Sequence, residues 1–81
     1  MTEAQFRVLD YLDGQSRPVS IQDVGWFCFD VPSWRGSPAR TRAAAGVIGH
    51  LRRAGLVAWF DGWELTSAGG HALADEEKRR G

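Results

Sequence analysis

The sequence predicts a mainly α fold with one small β-hairpin, an α+β unit in which three helices form a core and are followed by the hairpin and a C-terminal helix. Three observations carry that expectation. Apolar residues recur at helical spacing in three separate stretches, two short β-prone runs flank Asp61-Gly62, and Ser, Thr, Gly and Pro stand where helices should start and stop.

Eighty-one residues suit a single domain spanning 1–81, because a chain of this size hides only about 60–65% of the surface its unfolded form exposes and has no room for a second core. With 43% hydrophobic and 25% charged residues, the composition is globular rather than disordered. Cys28 is the only cysteine, so no internal disulfide is expected. No apolar run approaches the roughly 18 residues a membrane helix needs, and the N-terminus does not read as a signal peptide; a cytoplasmic location without membrane contact is expected.

Net charge is zero, but the charges are segregated along the chain. Residues 1–30 carry −3, residues 31–60 carry +5 with no acid among them, and residues 61–81 return to −2. Nine of the ten basic residues are arginine, a bias that genome composition alone can produce and that carries little functional weight.

The first helix starts at Thr2, three residues before Gln5, the spacing of a reciprocal capping box. Phe6, Val8, Leu9 and Leu12 then share one side, and Gly14 is expected as a left-handed stop. After an extended Arg17-Pro18-Val19 connector, Ser20 caps a short second helix containing Ile21, Val24, Phe27 and Cys28. Val31-Pro32 and the run Trp34-Arg35-Gly36 break the pattern into a loop of about eight residues. Ser37-Pro38 opens the third helix, with proline at the first helical position, and Gly55 closes it after Ala54.

That third helix poses a question, since it contains Gly46 and Gly49, each costing about 1 kcal/mol relative to alanine in a helix interior. On a helical wheel Ala44, Val47, Ile48 and Leu51 form the core side. Arg42, Gly46, Gly49 and Arg53 fall opposite, flanked by Thr41, Ala45 and Arg52. A flank poor in side chains and framed by guanidinium groups suits insertion into a DNA major groove, where small residues permit depth and arginines reach guanine edges or phosphates. Contact with another protein chain and tolerated drift are the two blander readings.

Leu56 to Thr66 reads as a hairpin on a two-residue Asp61-Gly62 turn. The register expected from that turn pairs Phe60 with Trp63, Trp59 with Glu64, Ala58 with Leu65 and Val57 with Thr66. One hairpin face cannot be covered by three small helices, so at least one of Trp59 and Trp63 should face solvent or a partner. Thr66 or Ser67 caps a fourth helix with Ala68, Ala72 and Leu73 inward, and residues 76–81 are expected as a frayed tail.

The strings TEAQFRVLDYL, HLRRAGLV and LTSAGGHAL, in this order and spacing, resemble the corresponding pieces of the multiple-antibiotic-resistance-regulator and phenolic-acid-regulator groups of bacterial repressors, over most of residues 2–75. The resemblance implies a winged helix-turn-helix fold of bacterial or phage origin. It also implies that the third helix lies in the major groove, with Ser37, Arg40, Thr41, Arg42, Ala45, Gly49 and Arg53 as groove or phosphate contacts. Gly46, Arg52 and, from the preceding loop, Arg35 complete the set of candidate DNA-binding residues.

Two departures from those families matter. The hairpin offers Asp61 and Glu64 beside aromatics where a phosphate-tracking wing carries cations, so it is not expected to grip DNA. The long helices that dimerise those repressors and hold their effectors have no counterpart, so no small-molecule effector is expected. A homodimer or a protein partner would use the aromatic surface, with Trp34, Trp59, Phe60 and Trp63 as candidates.

Catalysis has little support. His50 and His71 are 21 residues apart with one cysteine and no zinc spacing, no glycine string has a phosphate-loop context, and no serine has a local histidine partner. Cys28 lies in an apolar stretch and reads as a small core residue. No metal, cofactor or enzymatic activity is expected. The function expected from the sequence is sequence-specific double-stranded DNA binding by a small transcriptional regulator, a repressor acting by occupancy. A winged-helix protein-interaction module docking through the aromatic hairpin and the Trp34 loop is the alternative from another class, and a detached domain that needs a fusion partner is a third.

Overall fold

The computed structural model describes residues 1–29 and 36–81, the side chain of Ser37 excepted. It contains helices α1 (Glu3–Asp13), α2 (Ile21–Cys28), α3 (Gly36–Arg53) and α4 (Ser67–Arg80), with strands β1 (Val57–Trp59) and β2 (Trp63–Leu65) as an antiparallel hairpin between α3 and α4. The α+β expectation is met at that level.

Local chemistry explains most boundaries. Thr2 Oγ1 accepts from the Gln5 amide at 3.1 Å while Gln5 Oε1 accepts from the Thr2 amide at 3.0 Å, closing the capping box. Ser20 Oγ accepts from the Asp23 amide to start α2. The end of α3 is a Schellman motif: Gly55 sits at φ 79°, its amide donates to the Arg52 carbonyl, and the Leu56 amide donates to the Leu51 carbonyl at 2.9 Å. Thr66 then joins two helices, its hydroxyl accepting from the Gly69 amide to cap α4 and donating to the Gly55 carbonyl at 2.6 Å.

Several expectations need correcting. Gly14 is right-handed, at φ −79°, not a left-handed stop; the last turn of α1 tightens instead, with the Gly14 and Gln15 amides donating to the Tyr11 and Leu12 carbonyls three residues back. The hairpin register is shifted by one residue, pairing Val57 with Leu65, Ala58 with Glu64 and Trp59 with Trp63 around a three-residue Phe60-Asp61-Gly62 loop. Burial decides it, because this register puts Val57 and Leu65 together on the face that meets the core, whereas the two-residue turn would have placed them on opposite faces. The shift is held by Val19, which exchanges both backbone hydrogen bonds with Trp63 at 2.7 and 3.1 Å and so adds a single-residue third strand.

The third correction concerns residues 76–81. They are not a frayed tail, since α4 runs to Arg80 and docks on α1. Glu76 is buried and accepts from Arg79 at 2.7 Å and Arg80 at 3.2 Å; Arg80 also bridges to Glu3 at 2.9 Å and lies 3.9 Å over the Phe6 ring. Those hydrogen bonds, the Arg79 one foremost, hold the Glu76 carboxyl below its ordinary range against the opposing pull of burial.

The core gathers Val8, Leu9 and Leu12 from α1, Val24 and Cys28 from α2, Ala44, Ile48 and Leu51 from α3, with Val19, Val57 and Leu73. Ala68, expected inward, is exposed, and Ala72 is only half-buried. Among the described residues no helix is long and apolar enough to cross a membrane.

Candidate nucleic-acid interface

The packing of α3 on α2 decides which of its flanks is left uncovered. The two backbones touch at Gly25, where a Cβ would lie 2.9 Å from both the carbonyl carbon and the oxygen of Arg40. No larger residue fits without moving a helix. Arg40 reinforces the crossing: one guanidinium nitrogen, Nη1, donates to the Trp26 carbonyl at 3.1 Å and the Phe29 carbonyl at 2.8 Å, and the guanidinium carbon stands 4.7 Å from the Trp26 ring centroid.

Arg40 is therefore placed differently from the expected groove contact. It lies four residues before the buried Ala44, on the same stripe of α3, and that position turns it back onto the end of α2, where it satisfies carbonyls left open by the helix terminus. Thr41 is half-buried and lines, with Gln22, Asp23, Trp26 and Arg40, a shallow cleft of about 250 Å³ between α2 and α3.

The opposite flank behaves otherwise. Arg42, Ala45, Gly46 and Arg53 are exposed and Gly49 is half-exposed. Among the described residues, a Cβ on Gly46 would meet nothing within 4 Å, and one on Gly49 would meet only the tip of Arg53, at 3.6 Å. From Arg42 to Arg53 the strip runs roughly 16 Å along the helix at 1.5 Å per residue. Among the described residues the ion pairs join only Glu3, Glu76, Arg79 and Arg80, so neither Arg42 nor Arg53 meets a described carboxylate.

Arg52 is exposed but leans toward the hairpin, 5.9 Å over the Trp63 ring. Of the ten candidate DNA-binding residues, five thus form one open strip: Arg42, Ala45, Gly46, Gly49 and Arg53. Ser37 lies in the first turn of α3, with its side chain outside the description, and Arg35 and Trp34 lie outside the described residues.

The aromatic candidates divide. Trp59 and Phe60 are 61% and 74% exposed, whereas Trp63 is half-buried under Arg52, and Asp61 and Glu64 beside them are exposed. Sequence reasoning placed Phe27 on the second helix without a direction and missed a second exposed pair there, Trp26 and Phe27. Phe27 stacks on Tyr11, with centroids 5.4 Å apart. The signal was Gly25 itself: a glycine inside a short apolar helix marks the face that touches a neighbour, which turns the adjacent Trp26 and Phe27 away.

Cys28 is buried, and burial pushes its thiol up to about 11, so it stays protonated and poorly nucleophilic at neutral pH. His50 and His71 are exposed, and among the described residues no three His, Cys, Asp or Glu side chains come together to hold a metal. The chemistry available on the α3 strip is recognition of acceptors by guanidinium donors along a surface nearly free of side chains. Comparison with known proteins returns no matching family model, no matching curated protein and no matching solved structure.

Proposed function

We propose that the chain is a winged helix-turn-helix domain that binds double-stranded DNA, laying the Arg42–Arg53 flank of α3 in the major groove, and that it serves as a small transcriptional regulator acting by occupancy. The observation that carries this reading is the open space beside Gly46 and Gly49, among the described residues, on a helix whose opposite stripe of Ala44, Ile48 and Leu51 is buried. Among the described residues nothing packs against the two glycines, and a groove floor approaching the helix would account for them. The order of elements, α1, the Val19 bridge, α2, α3, hairpin and α4, supports the winged form.

The strip divides the work. Ala45, Gly46 and Gly49 let the backbone approach the base pairs, while Arg42 and Arg53, eleven residues apart, reach guanine edges or the phosphates on either side. Asp61 and Glu64 keep the hairpin away from the backbone, so α3 supplies the affinity.

Fluorescence anisotropy with mixed-sequence duplexes checks this. With three or four phosphate contacts, log K should fall against log salt with a slope of about −3 to −4. Replacing Arg42 and Arg53 together by alanine should weaken binding about 100-fold. Absence of salt-dependent binding to any duplex would remove the reading. A second reading, a module that docks on another protein, is favoured by the exposure of Trp59 and Phe60; it predicts an interaction that barely responds to salt and is lost when those two residues are changed.

A further inference from the structure

The two walls of the cleft between α2 and α3 carry opposite hydrogen-bonding types. Asp23, on α2, offers a carboxylate, which only accepts; Arg40, on α3, offers a guanidinium, which only donates. Gln22 and Thr41, one from each wall, can do either, and Trp26 adds an indole that is 59% exposed. Arg40 uses Nη1 for the Trp26 and Phe29 carbonyls, which leaves Nε and Nη2 as further donors. Among the described residues no ion pair joins Asp23 to Arg40, so acceptor and donor line one cleft without neutralising each other.

Shape and pattern together select the occupant. About 250 Å³ lies below the roughly 300–1,000 Å³ of sites for drug-sized ligands and suits a single heterocycle. A lysine or arginine side chain would satisfy Asp23 and confront Arg40, a carboxylate would do the reverse, and a primary amide reaches both walls but has no aromatic face for Trp26. A ring that lies on the indole and reaches both walls must carry N–H donors on one edge and acceptors on the other. Guanine has that pattern, with N1–H and the N2 amino group side by side and O6 and N7 as acceptors. Adenine, cytosine and thymine have no such adjacent pair of donors.

We propose that the α2–α3 cleft binds a guanine base, stacked on Trp26, with its N1–H and N2 amino group donating to the Asp23 carboxylate and its O6 and N7 accepting from Arg40. The base is supplied by a free nucleotide or by an unpaired position in a strand. The inference stands apart from the DNA-binding reading, since the cleft and the Arg42–Arg53 strip lie on different flanks of α3. One stacked base held by these contacts at an open site gives a dissociation constant of about 0.1–1 mM.

NMR titration of the full chain with guanosine, inosine and adenosine monophosphates tests this, the phosphate being common to all three. Guanosine monophosphate should shift the amides of Gln22, Asp23, Trp26, Arg40 and Thr41. Inosine monophosphate lacks the N2 amino group and should bind roughly threefold to tenfold more weakly. Adenosine monophosphate sets an acceptor against Asp23 and a donor against Arg40 and should bind at least about tenfold more weakly than guanosine monophosphate. Asp23→Asn should remove the preference over adenosine, and Trp26→Ala should weaken binding about tenfold. Both side chains are exposed, so the circular-dichroism spectrum should not change. A thymine oligonucleotide carrying one guanine separates the sources: tighter binding than the mononucleotide, with the same amides shifted, assigns the base to a strand, and weaker binding assigns it to a free nucleotide. Equal affinity for the three nucleotides, shifts confined to the Arg42–Arg53 strip, or a preference that survives Asp23→Asn overturns the inference. Duplex binding by a chain indifferent to the base removes this inference alone; guanine recognition without duplex binding removes the DNA reading alone.

Discussion

Gly25 and Gly46 both lie inside helices, and their surroundings are opposite. A side chain at Gly25 would collide with the backbone of α3 at Arg40, and one at Gly46 would enter open space. The same residue type thus has two physical justifications in one small protein. At Gly25 the fold itself demands it, because two helix axes cross at backbone contact. At Gly46 no described part of the fold does; on the proposed reading the reason lies outside the molecule. Arg40 and Arg42, two residues apart, repeat the contrast: one guanidinium is spent on the carbonyls of α2, the other is left on the surface.

The largest test of this contrast is at the packed glycines. Gly25→Ala, and equally Gly69→Ala, whose Cβ would run into the Leu56 carbonyl, should each cost roughly 1–3 kcal/mol in urea unfolding, the range for forcing extra volume into a tight contact. A neutral result at Gly25 would mean that α2 and α3 are free to separate. Next in size, Arg40→Ala should lose about 1–2 kcal/mol through its two charge-assisted hydrogen bonds, while Arg42→Ala stays within about 0.5 kcal/mol and reveals itself only in DNA binding.

Gly46→Ala should do the reverse of Gly25→Ala. It should raise stability by about 0.5–1 kcal/mol, from helix propensity alone, while weakening DNA binding by filling the approach to the groove. Thermal and denaturant midpoints together with anisotropy check both halves, and a destabilised G46A would show that the flank is covered after all.

The end of α4, packed where a loose tail was expected, provides the smallest effect at neutral pH. The Glu76 carboxyl is held below its ordinary value in the folded state, so its contribution is present above that value and is lost as pH falls through the lower, folded one. Acid titration of the fold should therefore become shallower in Glu76→Gln. An unchanged acid limb would show that the contact with Arg79 and Arg80 contributes little.

Much of this fold could be read locally. The capping box at Thr2 and Gln5, the Ser20 cap, the Gly55 stop and the core stripe Ala44, Ile48, Leu51 depend on residues within a turn or two of one another, and local spacing suffices to find them. So does the placement of Arg42, Gly46, Gly49 and Arg53 on the flank away from the core. What failed depended on distant partners. The hairpin slipped by one residue because Val57 and Leu65 had to share the core face and Val19, about forty residues upstream, claimed the backbone of Trp63. Residues 76–80 became a docked helix because Glu76 found Arg79 and Arg80 while Arg80 found Glu3 and Phe6 at the opposite end of the chain, and the turn of Arg40 onto the end of α2, where carbonyls had to be satisfied, likewise could not be read locally.

By itself, the sequence determined the capped starts of α1, α2 and α4, the stop of α3 and the apolar stripes of α1 and α3, since caps and periodicity act over a few residues and carry their physics with them. Only the tertiary structure decided which glycine touches a neighbour, which arginine turns inward and which hairpin face meets the core. Each of those outcomes is a competition between groups far apart in the chain, and it is settled by which arrangement leaves the fewest buried polar groups unpaired and the least apolar surface in water.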